Sequence, residues 1–163
     1  VTLIEKGETG QESSWAGAGI IPPGNWERAK QPLDQIRAWS SQTFPTLAQE
    51  LYELTQIDTG YNVCGGLEFF ANPEQMPSLW EGEGIPFSVG NPSDFRELEF
   101  PVGMTPFWFP TMAQIRNPRY LRALREGVTR LGVQVRTQEK LIDFVTGPNR
   151  FEKVVLESGE QIE

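Results

Sequence analysis

A helix that leads directly into β-strands is the sequence pattern that most constrains how this chain can fold. Asn117 and Pro118 predict the start of the helix, with the asparagine as N-cap and the proline at the first helical position. Apolar residues follow at intervals of three and four, and Gly132 predicts the end. The apolar positions are Tyr120, Leu121, Leu124, Val128 and Leu131.

The residues after this helix have the pattern of β-strands. Val133 and Val135 begin one strand, and residues 141–145 form another. Residues 147–150 then predict a turn into a third strand over 151–156, which makes a hairpin. A helix that feeds a strand and then a β-meander predicts a mixed α and β fold with at least one crossover.

The N-terminal third combines a strand, an irregular segment and a long helix. Residues 1–5 predict the strand, and the glycine, serine and proline content of residues 7–25 predicts turns rather than regular structure. Over residues 33–57 apolar positions keep a spacing of three to four, so we predict an amphipathic helix of roughly 20 residues that starts at Pro32. Pro45 should kink this helix or divide it in two.

The middle of the chain predicts short elements. Residues 59–71 predict two strands, or one strand broken by a bulge at Gly65 and Gly66. The proline-rich stretch that follows predicts a short helix near residues 74–80 and another near residues 92–98. Residues 107–109, which are Phe-Trp-Phe, predict a half-buried strand.

The composition excludes several classes of function. Lysine plus arginine total 14 and aspartate plus glutamate 22, and the resulting net charge of −8 disfavours a nucleic-acid partner. The chain has no histidine, which excludes Ser-His-Asp and Cys-His catalysis and histidine-ligated zinc. Hydrophobic residues at 38% and aromatic residues at 11% are sufficient for a packed core.

Cysteine content and hydropathy bear on where the chain works. Cys64 is the only cysteine, so an internal disulfide is excluded and a reducing compartment is favoured. No apolar run approaches the roughly 18 residues that a membrane span needs. We therefore expect no membrane partner and a cytoplasmic location.

Candidate acid–base groups lie in two polar stretches that have the composition of loops. Paired carboxylates can perform general acid and base catalysis, but charged residues in such stretches more often form a solvated face. We favour the solvated face. The carboxylates are Glu81 and Glu83 in the first stretch, and Asp94, Glu97 and Glu99 in the second.

Two further features have a structural and a functional interpretation. The aromatic run over 107–109 could stack on a ligand, but aromatics in an alternating strand usually form the core, which we favour. Cys64 has no cationic neighbour in the sequence that would activate it. A buried, inert thiol is therefore favoured over a nucleophile.

The first strand ends in an acid and precedes a glycine-rich loop. This pattern is typical of the second strand of a dinucleotide-binding unit, where the carboxylate accepts hydrogen bonds from ribose hydroxyls. Gly17 and Gly19 form a G-x-G pair, but the third glycine of the pyrophosphate loop is missing. Small residues here either let backbone amides approach a flat ligand or permit tight chain packing, and both alternatives stay open.

Residues 1–21 closely resemble the second strand and the flavin-cradling loop of the D-amino-acid oxidase family of FAD-dependent oxidoreductases. The resemblance depends on the acid-ended strand and on residues 13–19, whose sequence is S-S-W-A-G-A-G. It continues through residues 51–54, residues 65–67 and the helix from Asn117, and so covers essentially the whole chain. Within the family it is greatest to the glycine oxidase group of thiamine biosynthesis.

The resemblance implies that FAD is the cofactor and suggests which residues hold its adenosine half. Glu5 would hold the ribose, and Lys6 would lie beside the adenine and ribose. Leu141, in the strand after the helix, would contact the adenine from the other side through its backbone. These residues are implied cofactor contacts and not catalysts.

The flavin half is implied to lie along the glycine-rich loop. Ser13 and Ser14 would contact the phosphate and ribityl region. Ala18, Gly19 and Ile20 would run along the isoalloxazine ring with their backbone groups close to it. We assign no catalytic side chain and no metal ligand.

The family reaction implies the partners. Hydride would pass from the α-carbon of a small amino acid or amine to flavin N5, the imine would hydrolyse, and molecular oxygen would be reduced to hydrogen peroxide. Because the cofactor supplies the difficult chemistry, this reaction does not demand a histidine. A homo-oligomer stays open.

The resemblance also implies a division of the chain. Residues 1–32 would belong to a Rossmann-like FAD-binding domain, 33–57 to a bridging helix, 58–116 to a substrate domain with mixed sheet and helices, and 117–163 to the FAD-binding domain again. The family's phosphate-binding glycines would precede Glu5 and its substrate-binding arginine would follow the last residue. We therefore expect an internal segment that alone binds flavin poorly and is inactive, although a processed small protein is an alternative.

Two other functions are kept beside this one. A related enzyme that acts on sarcosine or a D-amino acid would share every feature above. A non-enzymatic module could instead retain half the fold and bind a protein partner through an exposed sheet edge or apolar surface.

Overall fold

The structure is a computed structural model that describes residues 1–90 and 98–163, and it contains four helices and eleven strands in those segments. The helices are α1 (Ser13–Ala16), α2 (Pro32–Thr55), α3 (Met76–Glu83) and α4 (Asn117–Arg130). The strands are β1 (Thr2–Ile4), β2 (Ile20–Ile21), β3 (Asn62–Val63), β4 (Gly66–Phe70), β5 (Ser88–Val89), β6 (Thr105–Phe109), β7 (Ala113–Gln114), β8 (Gln134–Arg136), β9 (Leu141–Thr146), β10 (Phe151–Leu156) and β11 (Gln161–Ile162).

Strand β1 pairs with β8 in parallel, although the two lie near opposite ends of the sequence. Leu3 is in register with Val135. Helix α4 comes directly before β8 in the chain. Parallel neighbours require a crossover connection, so the predicted crossover and the mixed α and β class are confirmed.

The end of α4 and the meander after it also match the prediction. Gly132 has a φ of 80° just beyond the helix, and its N–H donates to the Thr129 carbonyl at 3.0 Å. Strands β9, β10 and β11 form an antiparallel sheet with β10 in the centre. The one member of the predicted apolar stripe that does not pack inward is Leu131, which is 72% exposed.

Helix α2 runs unbroken through Pro45, so the predicted division into two helices is wrong. Proline removes one internal hydrogen bond, but packing on both sides of it can keep the helix continuous. Ala38 before the proline and Leu51 after it are both buried. The apolar residues Ile36 and Trp39 are exposed, unlike the stripe that their spacing predicts.

A small sheet of β4, β6 and β5 carries an aromatic core. Phe107 and Phe109 on β6 are each 3% exposed, which confirms that this run forms core. Trp80 of α3 packs against both, with ring centroids 5.0 Å and 4.9 Å away. Helix α3 itself lies close to the predicted short helix at 74–80.

A second small sheet joins three distant parts of the chain, with β7 between β2 and β3. Ile21, Ala113 and Ile115 are its buried centre. Phe44 of α2 and Tyr120 of α4 pack onto this centre, with their rings 5.6 Å apart. This sheet fixes the loop before β2 relative to both long helices.

Four local predictions need correction. Residues 13–16 form the short helix α1 rather than turns. Asn117 is the first helical residue of α4 and not its N-cap. Cys64 is exposed and not buried, because it sits between β3 and the β4 edge rather than in the core. Glu81 and Glu83 belong to α3 and not to a loop.

Some predictions fall on residues 91–97, which lie outside the described segments. They are the helix near residues 92–98 and the carboxylates Asp94 and Glu97. Within the segments that are described, no helix has both the length and the apolar character that a bilayer crossing requires.

Candidate functional site

The end of β1 is held by the segment that joins β8 to β9. The Glu5 N–H donates to the Arg136 carbonyl at 2.9 Å, and the Glu139 N–H donates to the Glu5 carbonyl at 3.0 Å. The Gln138 N–H reaches the Gly7 carbonyl at 3.0 Å. Leu141 begins β9 two residues after Glu139. Glu5 and Leu141 are the two residues predicted to flank an adenosine. The segments that carry them are hydrogen-bonded to each other and form one edge of the fold.

The Glu5 carboxylate is ordered by its own turn. Its Oε1 accepts a hydrogen bond from the Gly7 N–H at 2.8 Å. A carboxylate held in this way at the end of a strand can still accept further bonds through Oε2. Lys6 next to it is exposed and lies 3.6 Å from Glu12, an ion pair in which both side chains are more than half exposed. Such a pair adds little stability.

An arginine that the sequence did not single out organises the same edge. Arg136 binds Glu160 through two hydrogen bonds of 2.8 Å and 2.6 Å, and its Nε donates to Glu139 at 2.9 Å. These bonds lower the pKa of the Glu160 carboxyl below its ordinary value and raise the pKa of the guanidinium. The only sequence signal was a charged residue in an alternating strand, which does not reveal its partners.

Ser13 and Ser14 form the first turn of α1, and both are exposed. The turn closes through the Trp15 N–H, which donates to the Glu12 carbonyl at 3.0 Å. In the chain, helix α1 lies between the edge that carries Glu5 and the loop that contains Gly17 and Gly19. Its two serine hydroxyls face solvent. This placement is consistent with the predicted phosphate and ribityl contacts, which stay a prediction.

Residues 17–21, which we name the groove loop, form one wall of a groove of about 540 Å³. Residues of α2 line the groove as well, together with Ile115 and Asn117. Ala18 and Ile20 are exposed, whereas Gly19 is partly buried. Three residues predicted to run along an isoalloxazine ring thus lie together on this wall.

The conformation of Gly19 explains how the groove loop keeps its backbone close to the segment behind it. Its φ is 73°, and a Cβ at this position would collide with the Ile115 carbonyl oxygen. The Ile115 N–H donates to the Gly19 carbonyl at 2.8 Å. Glycine is required here because the close approach leaves no room for a side chain.

Asn117 makes a contact that sequence reasoning missed. Its Nδ2 donates to the Gly17 carbonyl at 2.7 Å, between residues one hundred positions apart. The sequence suggested a helix cap at Asn117, because an asparagine before proline is typical of a helix start. A local motif gives no signal for a partner so distant in the chain.

The groove suits a flat ring with an apolar portion, such as the isoalloxazine of the predicted FAD. Its volume lies within the roughly 300–1,000 Å³ that is usual for small-molecule sites. Ile20, Ile36 and Phe44 supply apolar surface, and Arg37 is the only charged side chain among its described lining residues. Gly19 keeps this part of the groove wall packed against the segment behind it, at Ile115.

A second cavity of about 320 Å³ lies between α2 and α3 and contains carboxylates. Burial raises the pKa of Glu68, and burial followed by the nearby charge of Asp34 raises the pKa of Glu83. Arg37 lies 3.7 Å from Asp34 and lines both cavities. Glu83 is therefore less solvated than the sequence predicts, whereas Glu81 is exposed.

Comparison with known proteins identifies the relatives of this chain. A family model described as "FAD dependent oxidoreductase" matches residues 1–163. A glycine oxidase of Pseudomonas aeruginosa is 27% identical over 174 aligned positions, which cover 98% of this chain and 45% of that protein. A bifunctional ThiO/ThiG protein of Synechocystis is 29% identical and is matched over 83% of this chain and 20% of its own length.

Solved structures show the same fold. A glycine oxidase from Bacillus cereus superposes with a TM-score of 0.79 at 23% identity, covering 98% of this chain and 45% of that one. An iminodiacetate oxidase from Chelativorans gives a TM-score of 0.71 at 18% identity, covering 100% of this chain and 46% of that one. The chain thus spans less than half the length of the relatives that it matches.

Proposed function

Because this chain belongs to the family of FAD-dependent oxidoreductases, we propose that it forms part of an enzyme similar to glycine oxidase that oxidises a small amino acid. The observation that carries this proposal is the groove, which the small residues of the groove loop line together with apolar side chains of α2. The curated glycine oxidases among its relatives support the choice of substrate class. The ThiO/ThiG relative supports a role in thiamine biosynthesis.

The chain's own residues would bind and orient the cofactor. Glu5 would hold the ribose, Lys6 would lie beside the adenine and ribose, and the backbone at Leu141 would contact the adenine. Ser13 and Ser14 would contact the phosphate and ribityl region, and Ala18, Gly19 and Ile20 would line the ring.

These residues bind and position, and none of them needs to move a proton. FAD, when bound, would accept a hydride from the α-carbon of the amine and pass its electrons to oxygen, with imine hydrolysis and hydrogen peroxide as the result. Apolar surface from Ile20 and Ile36 would limit the access of water to the ring. Orientation rather than acid–base chemistry is therefore the chain's contribution.

We also propose the division into residues 1–32, 33–57, 58–116 and 117–163 as parts of the FAD-binding domain, the bridging helix, the substrate domain and the FAD-binding domain again. A cytoplasmic location belongs to the same proposal. The segment on its own is expected to hold FAD weakly and to be inactive, since the relatives use more than twice its length.

The proposal is tested with the complete protein that contains this chain. Its visible spectrum should show bound flavin, and glycine should yield hydrogen peroxide in an oxygen-coupled assay. Sarcosine, a D-amino acid and iminodiacetate, tested in parallel, identify the preferred amine. A colourless protein that takes up no FAD would overturn the enzyme proposal in favour of a non-enzymatic binding module.

A further inference from the structure

We propose that Asn117 is a positioning residue for the flavin, which acts by holding the Gly17 carbonyl and so fixes the groove loop. The effect on flavin rests on the proposed function. The structural premise, that Asn117 orders residues 17–21, rests only on contacts within this chain and can be tested separately.

The bond from Asn117 to Gly17 is short and joins the groove loop to a rigid support. Asn117 is the first residue of α4, a helix of 14 residues. Helix α4 packs closely on α2 at Gly127, where a Cβ would lie 3.2 Å from Leu51 Cδ2. The backbone at the start of such a helix is held in place, so the Asn117 amide can set the position of the loop segment that it contacts.

The groove loop is held at two carbonyl groups by one short segment. The Ile115 N–H donates to Gly19 at 2.8 Å, and the Asn117 side chain donates to Gly17 at 2.7 Å. The residue between them, Ala18, is exposed beside the groove. The Ile115 bond comes from the backbone and survives any substitution of that side chain. The Asn117 bond is therefore the one that a side-chain substitution can remove.

A loop that contacts a planar ring through its backbone must hold its shape before the ring arrives. Each additional conformation open to the loop lowers the affinity, because binding must then select one of them. Loss of the Asn117 bond should therefore weaken flavin binding and change the environment of the ring. Because the bond is exposed and lies outside the buried clusters, we expect the rest of the chain to fold without it.

The first test removes the bond in the complete flavoprotein. Asn117→Ala should weaken FAD binding roughly three- to tenfold, the range expected for one net hydrogen bond, and should alter the visible circular dichroism of the flavin. Asn117→Asp keeps the size of the side chain but lacks the Nδ2 donor, so it should bind FAD no more tightly than Asn117→Ala does.

Arg130→Met is the control, because it removes a 2.8 Å bond from the same helix to the Leu54 carbonyl, far along the helix from the groove loop. It should leave affinity and spectrum unchanged.

A second test uses the steric contact at Gly17. Its φ of −64° and ψ of 146° suit alanine, but a Cβ there would lie 2.6 Å from Asn117 Nδ2, and the next nearest atom is 3.6 Å away. Gly17→Ala should therefore displace the Asn117 side chain and reproduce the weaker FAD binding. In the Asn117→Ala background the same substitution should add no further loss. Two losses that simply add would contradict the proposed contact.

The outcomes separate this inference from the proposed function. If the wild-type protein binds FAD and Asn117→Ala matches it in affinity and circular dichroism, only the positioning role fails. If the wild-type protein binds no FAD, the proposed function fails, and amide hydrogen exchange then decides the structural premise. Faster exchange across residues 17–21 in Asn117→Ala, but not in Arg130→Met, supports the role of Asn117, and equal exchange overturns it.

Discussion

At the scale of single residues, the groove loop depends on a glycine that no other residue can replace. Gly19 combines a left-handed backbone with a close approach to the Ile115 carbonyl. Each requirement alone disfavours a side chain, and together they explain why residue 19 of the groove loop is a glycine. The predicted contact of Gly19 with a planar ring is compatible with this geometry.

Substitution of this glycine tests the geometry directly. Gly19→Ala should lower the free energy of unfolding by about 2–4 kcal/mol, because it adds a collision to the left-handed strain. Gly103 has a φ of 77° and open space around it, so Gly103→Ala should lower the free energy of unfolding by about 1–2 kcal/mol, through backbone strain alone. Gly82 lies within α3 and also has open space around it, so Gly82→Ala should raise the free energy of unfolding by about 0.5–1 kcal/mol. Equal losses at Gly19 and Gly103 in chemical denaturation would show that no collision occurs.

The ion pair between Arg136 and Glu160 predicts a pH dependence. Because the Arg136 hydrogen bonds lower the pKa of Glu160 in the folded state, the bonds stabilise the fold above the ordinary carboxyl pKa. That stability is lost as the pH falls through the ordinary value and towards the lowered one. Glu160→Gln should therefore reduce stability at neutral pH and have a smaller effect in acid.

Denaturation of both proteins from neutral to acidic pH measures this difference. Glu157→Gln removes an exposed ion pair to Lys140 and serves as the control, with little expected change at any pH. A stability difference between Glu160→Gln and wild type that stays constant with pH would contradict the predicted linkage.

At the scale of elements, the aromatic sheet and α3 form one packed unit. Trp80 makes edge-on contacts with Phe70, Phe87, Phe107 and Phe109, at centroid distances of 4.9 to 5.4 Å. Such contacts add to the burial of apolar area. The unit keeps α3 against the strands and forms one wall of the cavity that contains Glu68.

Removal of this tryptophan should destabilise the unit. Trp80→Ala is expected to lower the free energy of unfolding by about 3 kcal/mol through the cavity that it leaves. Trp39→Ala, whose side chain is 60% exposed on α2, should change it by less than about 0.5 kcal/mol. Urea denaturation compares the two. A loss at Trp80 as small as that at Trp39 would show that the aromatic cluster does not hold α3.

Elements determined by local signals could be predicted from the sequence, and those determined by distant contacts could not. Gly132 ends α4 and the turn at 147–150 forms a hairpin because their hydrogen bonds join near neighbours. The continuity of α2 through Pro45 depends on packing against other elements. The bond of Asn117 to Gly17 depends on a partner one hundred positions away in the sequence, so the sequence neighbours of Asn117 indicated only a helix cap.

At the scale of the whole molecule, the fold connects the two regions that are predicted to contact FAD. Backbone hydrogen bonds join the edge at Glu5 to the segment before Leu141, and α1 leads from that edge to the groove loop. Under the proposed function the site includes residues outside this chain, because the relatives are more than twice as long. This chain would contribute the adenosine edge and the wall of the isoalloxazine groove.

The most direct test of this account is a titration of the complete protein, freed of flavin, with FAD while flavin fluorescence is recorded. The account predicts saturable binding with a marked change in fluorescence, weakened by Glu5→Gln at the adenosine edge and by Gly19→Ala at the groove loop. Unchanged fluorescence with the folded wild-type protein would contradict the central claim. Binding that neither substitution weakens would show that FAD lies elsewhere.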